Sequence, residues 1–160
     1  MSATSSLLRA AAAALPPVST EVATTLPVRA DLAFEVFADA GETPRWLSVV
    51  QSARVLTRTP EGRPAQVAFR ANLDRATLGY VVSYEYLPAE GIIRWSTTAE
   101  SSICVAGEAR FAPLSARACL MTYRLRLDLP VSSAVLETHY DAHAASAVVG
   151  DFREHLRRLG

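Results

Sequence analysis

Six stretches of alternating apolar and polar residues, joined by short turns, constrain the fold of this 160-residue chain more than any other feature. A period of two indicates strands with one buried face, and connections of a few residues favour antiparallel neighbours. The following stretch, residues 131–159, has apolar side chains at spacings of three and four, which predicts one long amphipathic helix. The six predicted strands are residues 54–58, 65–71, 78–87, 92–98, 103–111 and 118–129.

The part of the chain before these strands adds one more strand and two short helices. Residues 19–26 alternate and predict a first strand, and Asp31 is the expected N-cap of a helix that ends at Ala38. A second short helix is expected over residues 43–47, with a proline in its first turn. The order of elements predicts an α+β fold, in which a curved antiparallel sheet of about seven strands wraps around the long C-terminal helix.

Composition narrows the classes of function. Sixteen arginines balance sixteen acidic residues, and zero net charge argues against a surface that follows nucleic-acid phosphates. The absence of lysine excludes Schiff-base chemistry and the attachment of pyridoxal phosphate, and no other cofactor is indicated. No apolar run approaches the roughly 20 residues of a membrane helix, so the expected location is the cytoplasm. Residues 1–18 are expected to form a loosely ordered, alanine-rich tail, and residues 19–160 a single domain.

The turns also indicate which side chains share a face of the sheet. A loop at residues 88–91 places Tyr84 opposite Trp95 and, on the other face, Glu85 opposite Arg94. A carboxylate across from a guanidinium is a common surface pair, so the face with Tyr84 and Trp95 is the inner one. A last hairpin centred near Ser115 extends the alternation to the final two strands. The predicted inner face, which has no charged side chain, consists of Val67, Phe69, Leu78, Tyr80, Val82, Tyr84, Tyr86, Ile93, Trp95, Thr97, Val105, Phe111, Cys119, Met121, Tyr123 and Leu125.

The order and spacing of several motifs resemble a known superfamily over residues 20–159. These motifs are at residues 26–27, 36–39, 44–47, 52–56, 62–64, 92–95, 107, 111–113 and 122–129. They resemble the helix-grip domains of the START and birch-pollen-allergen type, and specifically the polyketide cyclase/dehydrase and lipid-transport group (SRPBCC). The resemblance implies functions that range from ligand binding and carriage to, in a minority of members, cyclisation. The turn at residues 114–117 lacks the glycine that is usual in this group, so its hairpin is expected to differ.

The long predicted helix indicates where a cavity lies. Its apolar stripe is small at Ala134, Thr138, Ala142 and Ala145 and becomes large from Val149 onward. Small residues opposite an aromatic sheet leave volume, which predicts a cavity beneath residues 134–145 and a filled core beyond 149. The alternative is that the aromatic side chains fill this volume as ordinary core. The expected lining residues are Phe69, Tyr80, Tyr84, Trp95, Thr97, Met121, Tyr123, Thr138 and Ala142.

An apolar cavity with a few hydroxyl groups favours binding or carriage of a hydrophobic small molecule that is lipid-, aromatic- or polyketide-like. No catalytic residue is assigned, because acid–base catalysis needs a titratable group within reach of the substrate. The alternative is a polyketide aromatase/cyclase or dehydratase; a register shift of one residue would turn Arg70 and Arg124 inward and support it. A second alternative is a protein-interaction module, in which the exterior arginines and Leu136, Tyr140, His139 and His143 contact a protein partner.

Four other residues are candidates for metal binding, thiol chemistry or control of access to the cavity. His139 and His143 are four apart and could hold one metal ion, but no third ligand is indicated, so we expect them to face solvent and expect no metal site. Cys119 is expected to be a buried, unreactive thiol. Trp46 either gates the mouth of the cavity or packs the second short helix onto the sheet.

Overall fold

The computed structural model describes residues 18–73, 76–98, 103–128 and 144–159. The predicted tail, apart from Val18, lies outside these residues. Residues 129–143 also lie outside them, and with them Thr138, Ala142, His139 and His143. The described elements are β1 (Val18–Leu26), α1 (Ala30–Ala38), a first 3-10 helix (Ala40–Arg45), β2 (Val50–Arg58), β3 (Pro64–Leu73), β4 (Ala76–Leu87), a second 3-10 helix (Pro88–Glu90), β5 (Ile92–Thr97), β6 (Cys104–Ser115), β7 (Ala118–Asp128) and α2 (Ala144–Leu159).

The seven strands form one open antiparallel sheet in the order β1-β7-β6-β5-β4-β3-β2. Tyr84 lies opposite Trp95 and Glu85 opposite Arg94, which confirms the register predicted for that hairpin. In the last hairpin Phe111 lies opposite Met121, so the pairing is shifted by two residues from the prediction. A shift of two leaves every side chain on its predicted face, because the side-chain period of a strand is two.

The glycine-free turn between β6 and β7 is closed by a side chain. Ser115 pairs with Ala118, and the Ser115 hydroxyl accepts a hydrogen bond of 3.1 Å from the Arg117 backbone N–H. A serine hydroxyl that bonds to the backbone two residues on stabilises a tight turn without the conformational freedom of glycine. The pairing is irregular between Pro113 and Ser115, next to this turn.

Both predicted short helices exist, but they begin earlier than the sequence indicated. Arg29, not Asp31, is the N-cap of α1, and it makes no capping hydrogen bond. Asp31 instead lies in the first turn, where its negative charge interacts favourably with the positive end of the helix dipole. Its carboxylate also forms an ion pair of 2.8 Å with Arg29. The second helix is a 3-10 helix that starts at Ala40 rather than residue 43 and ends before Trp46.

The core lies between the inner face of the sheet and the two α-helices. Phe37 of α1 and Phe152 of α2 meet edge to face, with ring centroids 5.3 Å apart, and both rings contact Phe111 of β6. Phe152 and Leu156 are fully buried, as the prediction of a filled core beyond residue 149 requires. The two helices and the inner face of the sheet therefore form one apolar layer that surrounds the candidate site.

The outer face carries charges in a row that crosses five strands. Neighbouring strands place directly opposite one another, in order, Glu85, Arg94, Glu108, Arg124 and Glu21. Arg94 contacts Glu108 at 3.0 Å and Glu85 at 3.6 Å, and Arg124 contacts Glu21 at 2.7 Å. The alternation of sign gives each of these charges an opposite neighbour and keeps the charges of these strands outside the core.

Candidate ligand-binding cavity

A cavity of about 110 Å³ lies between the inner face of the sheet and the helices. Sheet, α1, the first 3-10 helix, the segment after it and α2 all contribute side chains. No charged side chain is among the lining residues that the structure describes. These residues are Phe37, Thr43, Trp46, Leu47, Val49, Val50, Phe69, Ala71, Tyr80, Val82, Tyr84, Trp95, Val105, Tyr123, Leu125, Leu127 and Val148.

The structure places five of the predicted site residues on this lining: Phe69, Tyr80, Tyr84, Trp95 and Tyr123. Two others, Thr97 and Met121, lie on the inner strand face but are not among the described lining residues. The Thr97 hydroxyl accepts a hydrogen bond of 3.2 Å from the Val105 N–H, which directs it along the sheet.

Met121 is fully buried opposite Phe111, whose ring contacts Phe152, so it belongs to the filled part of the core. Thr138 and Ala142, the predicted contributions of the long helix, lie outside the described residues.

Part of the lining was missed by sequence reasoning. Leu47, Val49 and Val50 follow the first 3-10 helix, and Thr43 belongs to that helix. The run from Trp46 to Val50 is apolar apart from Ser48, and this was the only signal in the sequence. The first 3-10 helix packs on β2 and β3, and the Val49 carbonyl oxygen accepts a hydrogen bond of 2.9 Å from a backbone N–H of β3, which holds these residues beside the cavity.

The aromatic rings form a continuous wall centred on Trp95. Its ring centroid lies 5.4 Å from that of Phe37, 5.6 Å from Tyr123 and 6.3 Å from Tyr84. These separations are in the range of favourable offset and edge contacts between aromatic side chains. The wall offers a flat ligand the same kinds of contact.

The phenol groups are the polar features of this wall. Burial raises the pKa of Tyr84 well above its ordinary value of 10.0, and the nearby Tyr86 and Tyr80 phenols add to the effect. Burial raises the pKa of Tyr123 in the same direction. Both phenols are therefore neutral at physiological pH and able to donate a hydrogen bond to a ligand.

Trp46 forms the wall between the cavity and the outside. The same side chain lines the cavity and a surface groove of about 390 Å³ formed with Val36, Asp39, His155 and other residues of α1, the first 3-10 helix and α2. Its ring centroid lies 5.0 Å from Phe152 and 5.9 Å from Phe37. Trp46 thus packs on the core, as one prediction held, and it lines both the cavity and the groove.

The directions of the Arg70 and Arg124 side chains show whether the strand register brings a cation to the cavity. Both side chains are exposed on the outer face, and Arg124 pairs there with Glu21. The confirmed register therefore leaves the cyclase alternative without these two cations.

The remaining reactive groups offer little chemistry to the site. Cys104 and Cys119 are free cysteines, and burial raises the pKa of the Cys119 thiol, which disfavours the nucleophilic thiolate. Within the described ranges, no three His, Cys, Asp or Glu side chains are grouped so as to hold a metal ion. None of the described helices has the length and apolar character needed to cross a membrane.

Comparison with solved structures identifies proteins of the same fold. A START superfamily protein from Mycobacterium smegmatis superposes with a TM-score of 0.77 at 16% identity, covering 89% of this chain and 99% of the other. The Zhui aromatase/cyclase from Streptomyces sp. R1128 superposes with a TM-score of 0.69 at 17% identity, over 91% and 99% of the two chains. These identities show the fold alone, and it is the predicted helix-grip fold.

Sequence comparison gives the family. A search of the curated proteins finds no significant match. The family model described as polyketide cyclase/dehydrase and lipid transport matches residues 17–160. The match spans the described sheet, both α-helices and every lining residue of the cavity. The chain therefore belongs to the polyketide cyclase/dehydrase and lipid-transport family, within the START-like (SRPBCC) superfamily.

Proposed function

We propose that this protein binds a small hydrophobic molecule with an aromatic ring in the cavity between sheet and helices, without converting it chemically. The observation that carries the proposal is the composition of the described lining, in which aliphatic and aromatic side chains surround neutral phenols and no charge is present. Such a lining stabilises an apolar ligand by removing its surface from water and orients it through a few hydrogen bonds.

The volume sets the size of the ligand in this conformation. A cavity of about 110 Å³ is smaller than an apolar cavity of about 150 Å³ that holds benzene, and well below the roughly 300 Å³ at which pockets for larger ligands begin. We therefore expect the cavity to admit at most one ring, and a ring of benzene size to require a small outward shift of the lining side chains. A larger ligand requires displacement of a lining side chain such as Trp46.

The phenol groups favour a ligand that carries a hydrogen-bond acceptor. Tyr84 and Tyr123 belong to β4 and β7, and the Trp95 ring lies between them, in contact with both. When a ligand fills the cavity and displaces water, a phenol of the wall can donate a hydrogen bond to a hydroxyl or carbonyl oxygen of the ligand, but not to a hydrocarbon. A hydroxylated ring is thus expected to bind more tightly than a hydrocarbon of the same shape.

Phenol and toluene, which have nearly the same size and shape, test this directly. We expect ligand-observed NMR to detect binding of both, with phenol about 5- to 10-fold tighter. Tyr84→Phe should abolish most of this preference. Tyr86→Phe is the matched control, because the Tyr86 hydroxyl donates to the Pro64 carbonyl oxygen at 2.6 Å and does not line the cavity. The proposal would be refuted if the wild type bound neither phenol nor toluene.

The second candidate is a polyketide aromatase/cyclase, which the likeness to a solved aromatase/cyclase favours. It is the weaker candidate because phenols with raised pKa values are poor proton acceptors, and the described lining has no carboxylate, imidazole or guanidinium. Formation of an aromatic product from a poly-β-ketone by the wild type, lost in Tyr84→Phe, would establish this function instead.

The balanced charge and the absence of a long apolar run support placing the protein in the cytoplasm, without a nucleic-acid partner.

A further inference from the structure

Gly107 occupies the middle of the aromatic wall. It lies on β6 in a row of directly paired inner-face residues, between Trp95 of β5 and Leu125 of β7, and Tyr84 of β4 extends the same row. The other three residues of this row line the cavity. Gly107 contributes no side chain, and its space is filled from the neighbouring strand.

The indole ring of Trp95 takes the space that a side chain at position 107 would use. A Cβ added to Gly107 would lie 2.8 Å from the Trp95 Nε1 and nearer still to Cζ2 and Cε2. Carbon atoms do not approach so closely, so the ring would have to move. Among the described glycines, Gly62 and Gly91 have positive φ angles and Gly107 does not. The close approach of the ring, and not backbone strain, therefore requires glycine here.

The surroundings of the indole limit where it can move. The Phe37 and Tyr123 rings lie beside it, with centroids 5.4 and 5.6 Å from its own, and both are buried in the core. The open volume in contact with the ring is the cavity that Trp95 already lines. A larger residue at position 107 therefore displaces the indole into the space of the ligand.

We propose that Gly107 is a specificity-determining position of this cavity: by letting the Trp95 indole lie flat on β6, it sets the largest ring that the cavity admits. The inference rests on the proposed function for its ligand, although the position of the indole can be measured without one. It predicts that residues 95 and 107 act as a pair, so that a gain in size at one position is offset by a loss at the other.

The test uses four variants of the full chain and two probes, phenol and 2-naphthol. Gly107→Ala should weaken phenol binding by about tenfold or more, as overpacking of a filled site does. Trp95→Leu with Gly107→Ala should restore phenol binding, and Trp95→Leu alone should bind 2-naphthol more tightly than phenol. Gly79→Ala is the matched control. Gly79 is an exposed residue of β4, and a Cβ added to it would lie no closer than 3.9 Å to another residue.

A second readout is independent of any ligand. In a Trp46→Phe background Trp95 is the one remaining tryptophan. Its indole N–H resonance should shift in Gly107→Ala and stay in place in Gly79→Ala. An unmoved resonance, or phenol affinity equal to that of the wild type, would overturn the role of Gly107. If the wild type binds neither probe, the proposed function fails, and the resonance alone then decides whether Gly107 positions the ring.

Discussion

Replacing Glu108 by glutamine tests the charge row on the outer face of the sheet. Glu108 lies at the centre of this row, and its carboxylate accepts hydrogen bonds from Arg94 at 3.0 Å and from Arg110. Its side chain is 16% exposed, against 62% for Glu85, which contacts the same arginine at 3.6 Å. Glu108 is therefore the member of the row that depends most on its ionic partners.

The magnitude follows from this difference in exposure. A fully exposed ion pair contributes about 0 to 1 kcal/mol, and a hydrogen bond to a charged group up to about 3 kcal/mol. Because both arginines are about half exposed, we expect Glu108→Gln to lower the free energy of unfolding by about 1 to 2 kcal/mol. Glu85→Gln should cost less than about 0.5 kcal/mol. Urea denaturation at neutral pH and low salt measures both values.

The pH dependence gives a second, sharper signature. Burial acts to raise the pKa of Glu108, but the hydrogen bonds from Arg110 and Arg94 outweigh it and hold the pKa below the ordinary value of 4.5. A carboxyl whose pKa is lower in the folded state stabilises above its unfolded pKa, and this stabilisation is lost as pH falls through the folded pKa. The difference between wild type and Glu108→Gln should therefore be constant above about pH 5.5 and shrink below pH 4. Equal losses for the two variants, or a difference that grows as the pH falls below about 5.5, would refute this account.

Three further predictions concern the turns, the phenols and the wall of the cavity. Gly91→Ala should lower the free energy of unfolding by about 3 kcal/mol, because φ is +68° and the new Cβ would overlap the Phe111 carbonyl oxygen. Gly62 also has a positive φ but has open space around it, so Gly62→Ala should cost only about 1 kcal/mol in urea unfolding. Equal losses for the two variants would contradict the overlap argument. The raised pKa of Tyr84 means that the folded state keeps a proton that the unfolded chain releases, so stability should fall as pH rises above about 10, and less steeply in Tyr84→Phe; an identical slope in both proteins would contradict this. If Trp46 controls access to the cavity, Trp46→Ala should make 4-fluorophenol exchange about tenfold faster between its bound and free states, as measured by ¹⁹F NMR. An unchanged exchange rate would assign Trp46 a packing role alone.

Most of the sheet could be predicted because strand patterns are local. The turn at residues 88–91 fixed the partners of Tyr84 and Glu85, and the alternation then assigned every later side chain to a face, even where the last hairpin was shifted by two residues. Helix starts were less predictable, since Asp31 suits both an N-cap and a first turn, and only the backbone path distinguishes the two.

The candidate site was harder to predict because a cavity is made by elements distant in sequence. An inward-facing residue is necessary for the lining but not sufficient. Met121 and Tyr123 share a face of β7, yet Met121 is fully buried opposite Phe111, whose ring contacts Phe152, and Tyr123 lines the open volume. The contribution of Leu47 and Val49 depends on how the first 3-10 helix, which precedes them, packs on β2 and β3, and the sequence has no periodic signal for this packing.

The sequence by itself determined the seven antiparallel strands, the uncharged inner face and the pairing of charges on the outer face, since each follows from a period of two and short turns. The tertiary structure decided how much of that inner face remains open. That depends on where the rings of Phe37, Phe152 and Trp95 meet, and on one glycine that lets an indole lie flat against the sheet. Side-chain volume is shared among neighbours that only folding brings together, so the shape of the cavity is a property of their packing.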